Sequence, residues 1–302
     1  MRYVWSDNLT INQTIGNIMA FESLAMKVAA EKTIEVMKSA MAPLSIFAHS
    51  YDELDGRKGE LIAVPVLNLQ ASSEFDAATN NYASGAQVYD GKEVALSKHF
   101  LQSASITDRQ LGATSFNWLG DLVGAQARQI GRDINKYVFG LFNDTNVTNS
   151  ATLDVTSKEA IASLVKTCAD KDINPADAIV VLGPTDFYKV LSKMDANVYG
   201  GTEAIRDGYI AGIYGFAGMV CTTFLPSGVK GAIISRDAVG LASRYLEPLA
   251  GAYEDTWRAS DGDIATIGFR YFADPKTGVR YLNCEALFGA SILVPERCIL
   301  LK

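Results

Sequence analysis

The feature that most constrains this chain is a long polar excursion between two strand-like runs. Leu61–Leu67 reads as a strand and Glu93–Ile106 as a second, while residues 71–91 between them are small and polar with spaced aromatics. Connections this long inside compact domains are uncommon, and are usually either functional or unstructured. An exposed hairpin also carries unpaired backbone groups along its edges, which invite pairing with another chain. The excursion is therefore expected to be completed by a neighbour, with Phe75, Tyr82 and Tyr89 as its aromatic anchors and Lys92 on its return arm. Pro65 inside the first run points to an edge strand, because proline donates no ladder hydrogen bond. A surface loop without a partner is the plainer reading of the same residues.

The second constraint is helical. Phe116, Leu119, Val123, Ala127, Ile130, Ile134, Val138 and Leu141 recur at three- and four-residue steps, the period of one helix face. At 1.5 Å per residue a helix over 115–142 is about 40 Å long. Thr107–Gln110 ahead of it has the capping-box pattern, in which a hydroxyl and an amide side chain satisfy orphan backbone groups. Gly120, Gly124 and Gly131 each disfavour the helix by up to about 1 kcal/mol relative to alanine, so close approach of another backbone is expected there. Residues 17–41 carry an earlier amphipathic stripe that Pro43 ends. Residues 1–16, with Trp5 among their apolar members, read as an extended arm lying across a second molecule, or more plainly as a frayed terminus.

Beyond the polar connector 143–150, Thr156–Glu159 repeats the capping-box pattern before a helix carrying Ile161, Leu164, Val165 and Cys168. The run 178–182 reads as a buried strand, with a short helix after Pro184. Short strands follow at 219–224, 231–235 and 239–246. Longer ones at 264–273 and 279–288 are joined by the turn Asp274-Pro275-Lys276-Thr277-Gly278. The Gly-rich stretch 199–212, with Glu203 and Arg206, reads as a small polar loop suited to contacts near a symmetry axis. The whole is an α+β chain without repeats.

Composition narrows function. A chain of 302 residues with 48% hydrophobic content buries a substantial core. Its longest apolar runs fall short of the roughly 20 residues that span a bilayer, and its start lacks a secretory pattern, so no membrane partner is expected. The net charge of −7 argues against gripping nucleic acid through clustered cations. Cys168, Cys221, Cys284 and Cys298 are too scattered for a disulfide framework or paired zinc ligands and read as reduced thiols. His49 and His99 lie in different segments, which leaves no histidine triad or multi-histidine metal site. No phosphate-binding glycine loop occurs; Gly212–Gly218 has the wrong spacing, and Pro184 weakens the one strand-to-helix turn that presents amides. Asp261 and Asp263 are explained by turn chemistry, and Glu285 as an isolated acid supports no mechanism. Neither catalytic, cofactor-binding nor metal residues are assigned, and no cofactor is expected.

The order of elements nevertheless resembles a known family. The strand over 60–67, the excursion, the return Lys98-His99-Phe100-Leu101-Gln102-Ser103-Ala104-Ser105-Ile106-Thr107-Asp108 and the helix ending Asp133-Ile134-Asn135-Lys136-Tyr137 are similar to tailed-bacteriophage major capsid proteins of the Hong Kong ninety-seven fold, also called the Johnson fold. Val181–Val190 and Gly231–Gly240 look like that family's axial-domain elements, and Phe269–Phe272 with Gly278–Arg280 like its peripheral-domain strands. The similarity spans most of the chain in order, through short segments and without one diagnostic motif.

The resemblance implies an N-terminal arm and first helix over 1–50 and an E-loop hairpin over 51–105. It implies a peripheral domain with a long spine helix over 106–150, an axial domain over 151–251, and closing peripheral strands over 252–302. It implies self-association into hexamers and pentamers of an icosahedral shell, assembled in the host cytoplasm and enclosing double-stranded DNA without sequence-specific binding. Portal protein, and scaffolding or decoration proteins, are its further partners. Inter-subunit contacts fall to Trp5, Phe75, Tyr82, Tyr89, Lys92, Glu203 and Arg206. Two departures are expected: a long N-terminal scaffolding segment is missing ahead of the first helix, and no motif carries over the lysine-to-asparagine crosslink of some members. An encapsulin-type protein compartment shares the fold and is the nearest alternative; an α/β metabolic enzyme is the more distant one.

Overall fold

The computed structural model describes residues 31–36, 38–51, 61–67, 89–113, 118–193, 209–213, 215–236, 238–249, 251, 253, 255–261 and 265–302. Residues 31–36 and 38–45 are helical and form α1. There follow β1 (Ala48–Ser50), β2 (Leu61–Leu67), β3 (Tyr89–Ala95), β4 (Lys98–Thr107), α2 (Asp108–Ala113), α3 (Trp118–Gly140), β5 (Ser150–Ala151), α4 (Lys158–Ala169), β6 (Ala178–Leu182), α5 (Pro184–Lys193), β7 (Tyr209–Ile213), β8 (Phe216–Cys221), β9 (Gly231–Ser235), β10 (Val239–Arg244), β11 (Asp255–Asp261), β12 (Ala265–Asp274), β13 (Val279–Ile292) and β14 (Cys298–Leu301). Two compact units share these elements: one comprises 1–42, 98–134 and 243–288, the other 43–97, 135–242 and 289–302.

In the first unit α3 lies on an antiparallel sheet in which β11 pairs β12, β12 pairs β13 and β13 pairs β4. The apolar stripe read from the sequence is the buried one, since Val123, Ala127, Ile130 and Ile134 are all 1% exposed or less. Leu282, Cys284, Ala286 and Phe288 are buried at every second position of β13, the period that places them on one face of a strand. Gln126, itself buried, reaches from α3 to donate through its amide nitrogen to the Gln102 carbonyl (3.2 Å) and the Leu282 carbonyl (3.0 Å), tying helix to β4 and β13. Of the helix glycines Gly131 is closely approached, by a side chain of α1: a Cβ there would stand 3.0 Å from the Ala40 Cβ, whereas at Gly124 the nearest atom is the Lys32 Cε at an ordinary 3.7 Å.

The capping box also forms. The Gln110 amide donates to Thr107 Oγ1 (3.2 Å) and the Thr107 amide to Gln110 Oε1 (3.0 Å). It starts the six-residue α2, and the long helix begins only at Trp118. At the second expected box Thr156 is bonded to Asp154 instead. Asp154 takes both the Thr156 hydroxyl (2.6 Å) and amide (2.8 Å), and α4 starts at Lys158. Those two bonds hold the Asp154 carboxyl below its usual pKa. The β12–β13 turn is built as its sequence predicts: Asp274 accepts from the Lys276 amide (2.9 Å) and the Thr277 hydroxyl (2.9 Å), and Gly278 takes a left-handed φ of 61°.

The second unit holds a six-stranded mixed sheet in the order β5-β14-β9-β6-β8-β7. β6, β9 and β14 are buried at every position, which requires cover on both faces. On one face Ile161, Leu164 and Cys168 of α4 and Phe187 and Val190 of α5 pack with Val180, Leu182, Ile233 and Ile299. β6 runs parallel to β8, as expected for two strands joined through a helical crossover.

Candidate subunit-contact elements

β2 and β3 form a two-stranded antiparallel ribbon, in register from Leu61 opposite Ala95 to Leu67 opposite Tyr89. The sequence run Glu93–Ile106 is therefore two strands, broken at Leu96-Ser97 where the Ser97 amide donates to the Ala95 carbonyl (2.9 Å). Pro65 sits opposite Gly91, and in a ribbon of two strands every strand is an edge strand, which proline tolerates. Among the described residues neither strand has a second partner.

The ribbon is rooted where β3 runs into Leu96, and along its length one face is covered and the other exposed. Val64, Val94 and Leu96 are buried, whereas Leu61 is 56% exposed. The root is tight: a Cβ on Gly289 would stand 2.2 Å from the Ala95 carbonyl oxygen. Sequence reasoning missed Gly289, since nothing near it in the chain marks the approach of a strand from nearly two hundred residues away. Of the predicted contact residues, Tyr89 opens β3 opposite Leu67, and Lys92 is exposed opposite Val64. Trp5, Phe75, Tyr82, Glu203 and Arg206 lie outside the described residues.

Polar chemistry is gathered elsewhere, on the sheet of the first unit. Glu285 is buried and paired with the Arg270 guanidinium, and its other oxygen lies 3.2 Å from His99 Nε2. Arg270 also donates to the Tyr253 hydroxyl (3.1 Å) and the Leu246 carbonyl (3.3 Å). Burial works against its charge, but the Tyr253 bond and the Glu285 carboxylate more than offset that, and its pKa lies above the ordinary arginine value. Each buried charge is thus met by an opposite charge or a hydrogen bond, the condition for keeping it in a core. Sequence reading had Glu285 as an isolated acid; its partners come from β12 and β4, visible only once the strands pair.

The cysteines offer no nucleophile. Burial pushes Cys168 up to about 11 and Cys298 up to about 12, and raises Cys284 and Cys221 as well. Thiols so shifted stay protonated near neutrality, and the thiolate is the reactive form. All four are free. Among the described residues no three His, Cys, Asp or Glu side chains converge to hold a metal ion.

A ribbon with open edges, a long helix on an antiparallel run of strands and a separate mixed sheet are features that comparison identifies. A family model described as phage capsid protein matches residues 91–281, well over half of the chain. The chain belongs to the phage capsid protein family. Solved structures show the same fold for the capsid protein. It is similar to the capsid of a native GTA particle (TM-score 0.59, 14% identity, 87% of this chain and 90% of that one) and to Mycobacterium phage Che8 (TM-score 0.58, 14% identity, 81% and 85%). It is also similar to a virus-like particle from Pyrococcus furiosus (TM-score 0.53, 11% identity, 90% and 96%). No curated protein sequence matches.

The capsid protein is accordingly a structural protein, a major capsid subunit that associates with copies of itself into a shell and forms part of the virion. The Hong Kong ninety-seven-type α+β fold expected from the order of its elements is the fold observed. The family match favours the phage shell over the encapsulin-type compartment.

Proposed function

We propose that this capsid protein closes into hexamers and pentamers of an icosahedral shell around double-stranded DNA, and that the β2–β3 ribbon with its excursion is the strap by which one subunit holds the next. The observation that carries this reading is the ribbon itself, rooted firmly at Gly289 and Leu96 yet open along both strand edges among the described residues. Free edges are templates for further strands. A stable contact buries about 1,200–2,000 Å², area that an extended ribbon adds to a compact body. Phe75, Tyr82 and Tyr89 are the anchors of this strap, because aromatics dominate interface energetics. Trp5 in the arm, and Glu203 and Arg206 near a symmetry axis, make the remaining contacts. A portal protein, and scaffolding or decoration proteins, join the shell as it assembles in the host cytoplasm.

Electron microscopy of the expressed chain tests the shell, and deletion of residues 71–91 tests the strap. The expected result is shells or capsomers from the intact chain, and a soluble folded subunit that does not assemble from the shortened one. Normal shells from the deletion variant would overturn the strap.

A further inference from the structure

The exposed face of α3 carries a feature that the shell reading leaves unused. Arg128, Arg132 and Lys136 follow one another at four-residue steps and all three are exposed. Such spacing aligns them along one side of the helix, about 6 Å apart and about 12 Å end to end. None of the three side chains makes a hydrogen bond or ion pair among the described residues. The nearest acid on the helix, Asp133, accepts from the Gln129 amide at 3.2 Å on both oxygens and forms no ion pair with the three cations, so one carboxylate stands beside the row without closing on it. Like charges four residues apart disfavour a helix. Here they stand in a chain whose net charge is −7, so the stripe is a local departure from an acidic background.

We infer that this stripe is a contact for the phosphate backbone of the enclosed duplex, which places this face of α3 on the inner side of the shell. The inference rests on the proposed enclosure of DNA and adds the residues that meet it. Duplex DNA carries a phosphate on each strand about every 3.4 Å along its axis, so a 12 Å row of cations lies along roughly three phosphates. Three contacts hold one helix weakly and without regard to sequence; repeated over many subunits they add up, since linked weak sites gain avidity. An acidic shell with one cationic stripe per subunit then repels its contents on average and tethers them at fixed points.

The test uses the full chain, as free subunits or as capsomers released from shells, titrated with a fluorescent 30-base-pair duplex of arbitrary sequence from 50 to 200 mM salt. The triple variant Arg128→Gln, Arg132→Gln, Lys136→Gln removes charge while keeping good helix formers. Each lost phosphate contact lowers the log–log salt slope by about 0.9, so the slope should fall by about 2.7, and wild-type affinity should drop about 40-fold more than the variant's over that range. The charge-keeping pair Arg128→Lys and Arg132→Lys should restore the slope. An unchanged slope in the triple variant would overturn the inference and leave the stripe a solvated face. Loss of assembly in the triple variant, measured by sedimentation without DNA, would overturn it in favour of a contact with another protein copy. The titration reads the stripe in any oligomeric state, so failure of the wild-type chain to form shells counts against the proposed enclosure alone.

Discussion

The strand β6 and the strand β2 are almost equally apolar, Ala-Ile-Val-Val-Leu against Leu-Ile-Ala-Val-Pro-Val-Leu, yet they meet opposite fates. Every residue of β6 is buried, between β9 and β8 and beneath α4 and α5. β2 has one partner strand, and Leu61, Ala63 and Pro65 stand exposed. Apolar composition thus says that a strand will be covered without saying by which molecule. In the six-stranded sheet the chain supplies its own cover. In the ribbon it covers one face, where Val64 and Val94 are buried, and leaves the face of Leu61, Ala63 and Pro65 open; an exposed apolar face with open edges is a surface that a second molecule completes.

The largest effect that separates the two regions is expected in the self-covered sheet. Phe187 of α5 is fully buried in its core. Phe187→Ala should lower the unfolding free energy by about 3–5 kcal/mol, the usual cost of a phenylalanine-sized core truncation. Chemical denaturation of the unassembled subunit measures it. A loss well under that range would mean that the sheet also leans on neighbouring copies, and the contrast with the ribbon would weaken.

The same contrast explains what the sequence made legible. Where the chain covers itself, local pattern reads well. The stripe of α3, the strands over 178–182 and 231–235, and the Asp274 turn follow from periodicity and turn chemistry that act within a few residues. Long-range partnerships were not legible. The Arg270–Glu285–His99 group draws on three strands, and Gly289 meets a carbonyl far away in the chain. Of the predicted contact residues, only Tyr89 and Lys92 fall within the described residues, both on β3. The order of elements was enough to indicate the capsid fold because that order is itself a local property, repeated segment after segment.

A middle-sized effect is expected at the ribbon's root, where the two regimes meet. Gly289→Ala would drive a Cβ to 2.2 Å from the Ala95 carbonyl oxygen, and since that atom is backbone, the strand itself must shift. Overpacking of this kind costs about 1–3 kcal/mol. The displaced ribbon should also lower assembly yield, so thermal melting of the subunit and sedimentation of its products are measured together. A variant with unchanged melting and normal particles would show that the ribbon's placement does not depend on this contact.

The smallest effect on the subunit, and the sharpest test of the contrast, lies along the ribbon. Leu61 is 56% exposed, so Leu61→Ser should change subunit stability by no more than about 0.5 kcal/mol, as surface substitutions do. If a sister copy covers the ribbon, the same change forfeits the burial still available to that side chain. Fully burying a leucine contributes about 1.5–3 kcal/mol, and roughly half of it remains to be gained. About 1–1.5 kcal/mol per contact corresponds to a threshold concentration for assembly up to about tenfold higher. Light scattering over a concentration series reads that threshold, and denaturation of the dilute subunit reads the other half of the comparison. The two numbers must part company: a variant that unfolds more easily yet assembles at the usual concentration has lost an internal contact, and the ribbon would then belong to its own subunit.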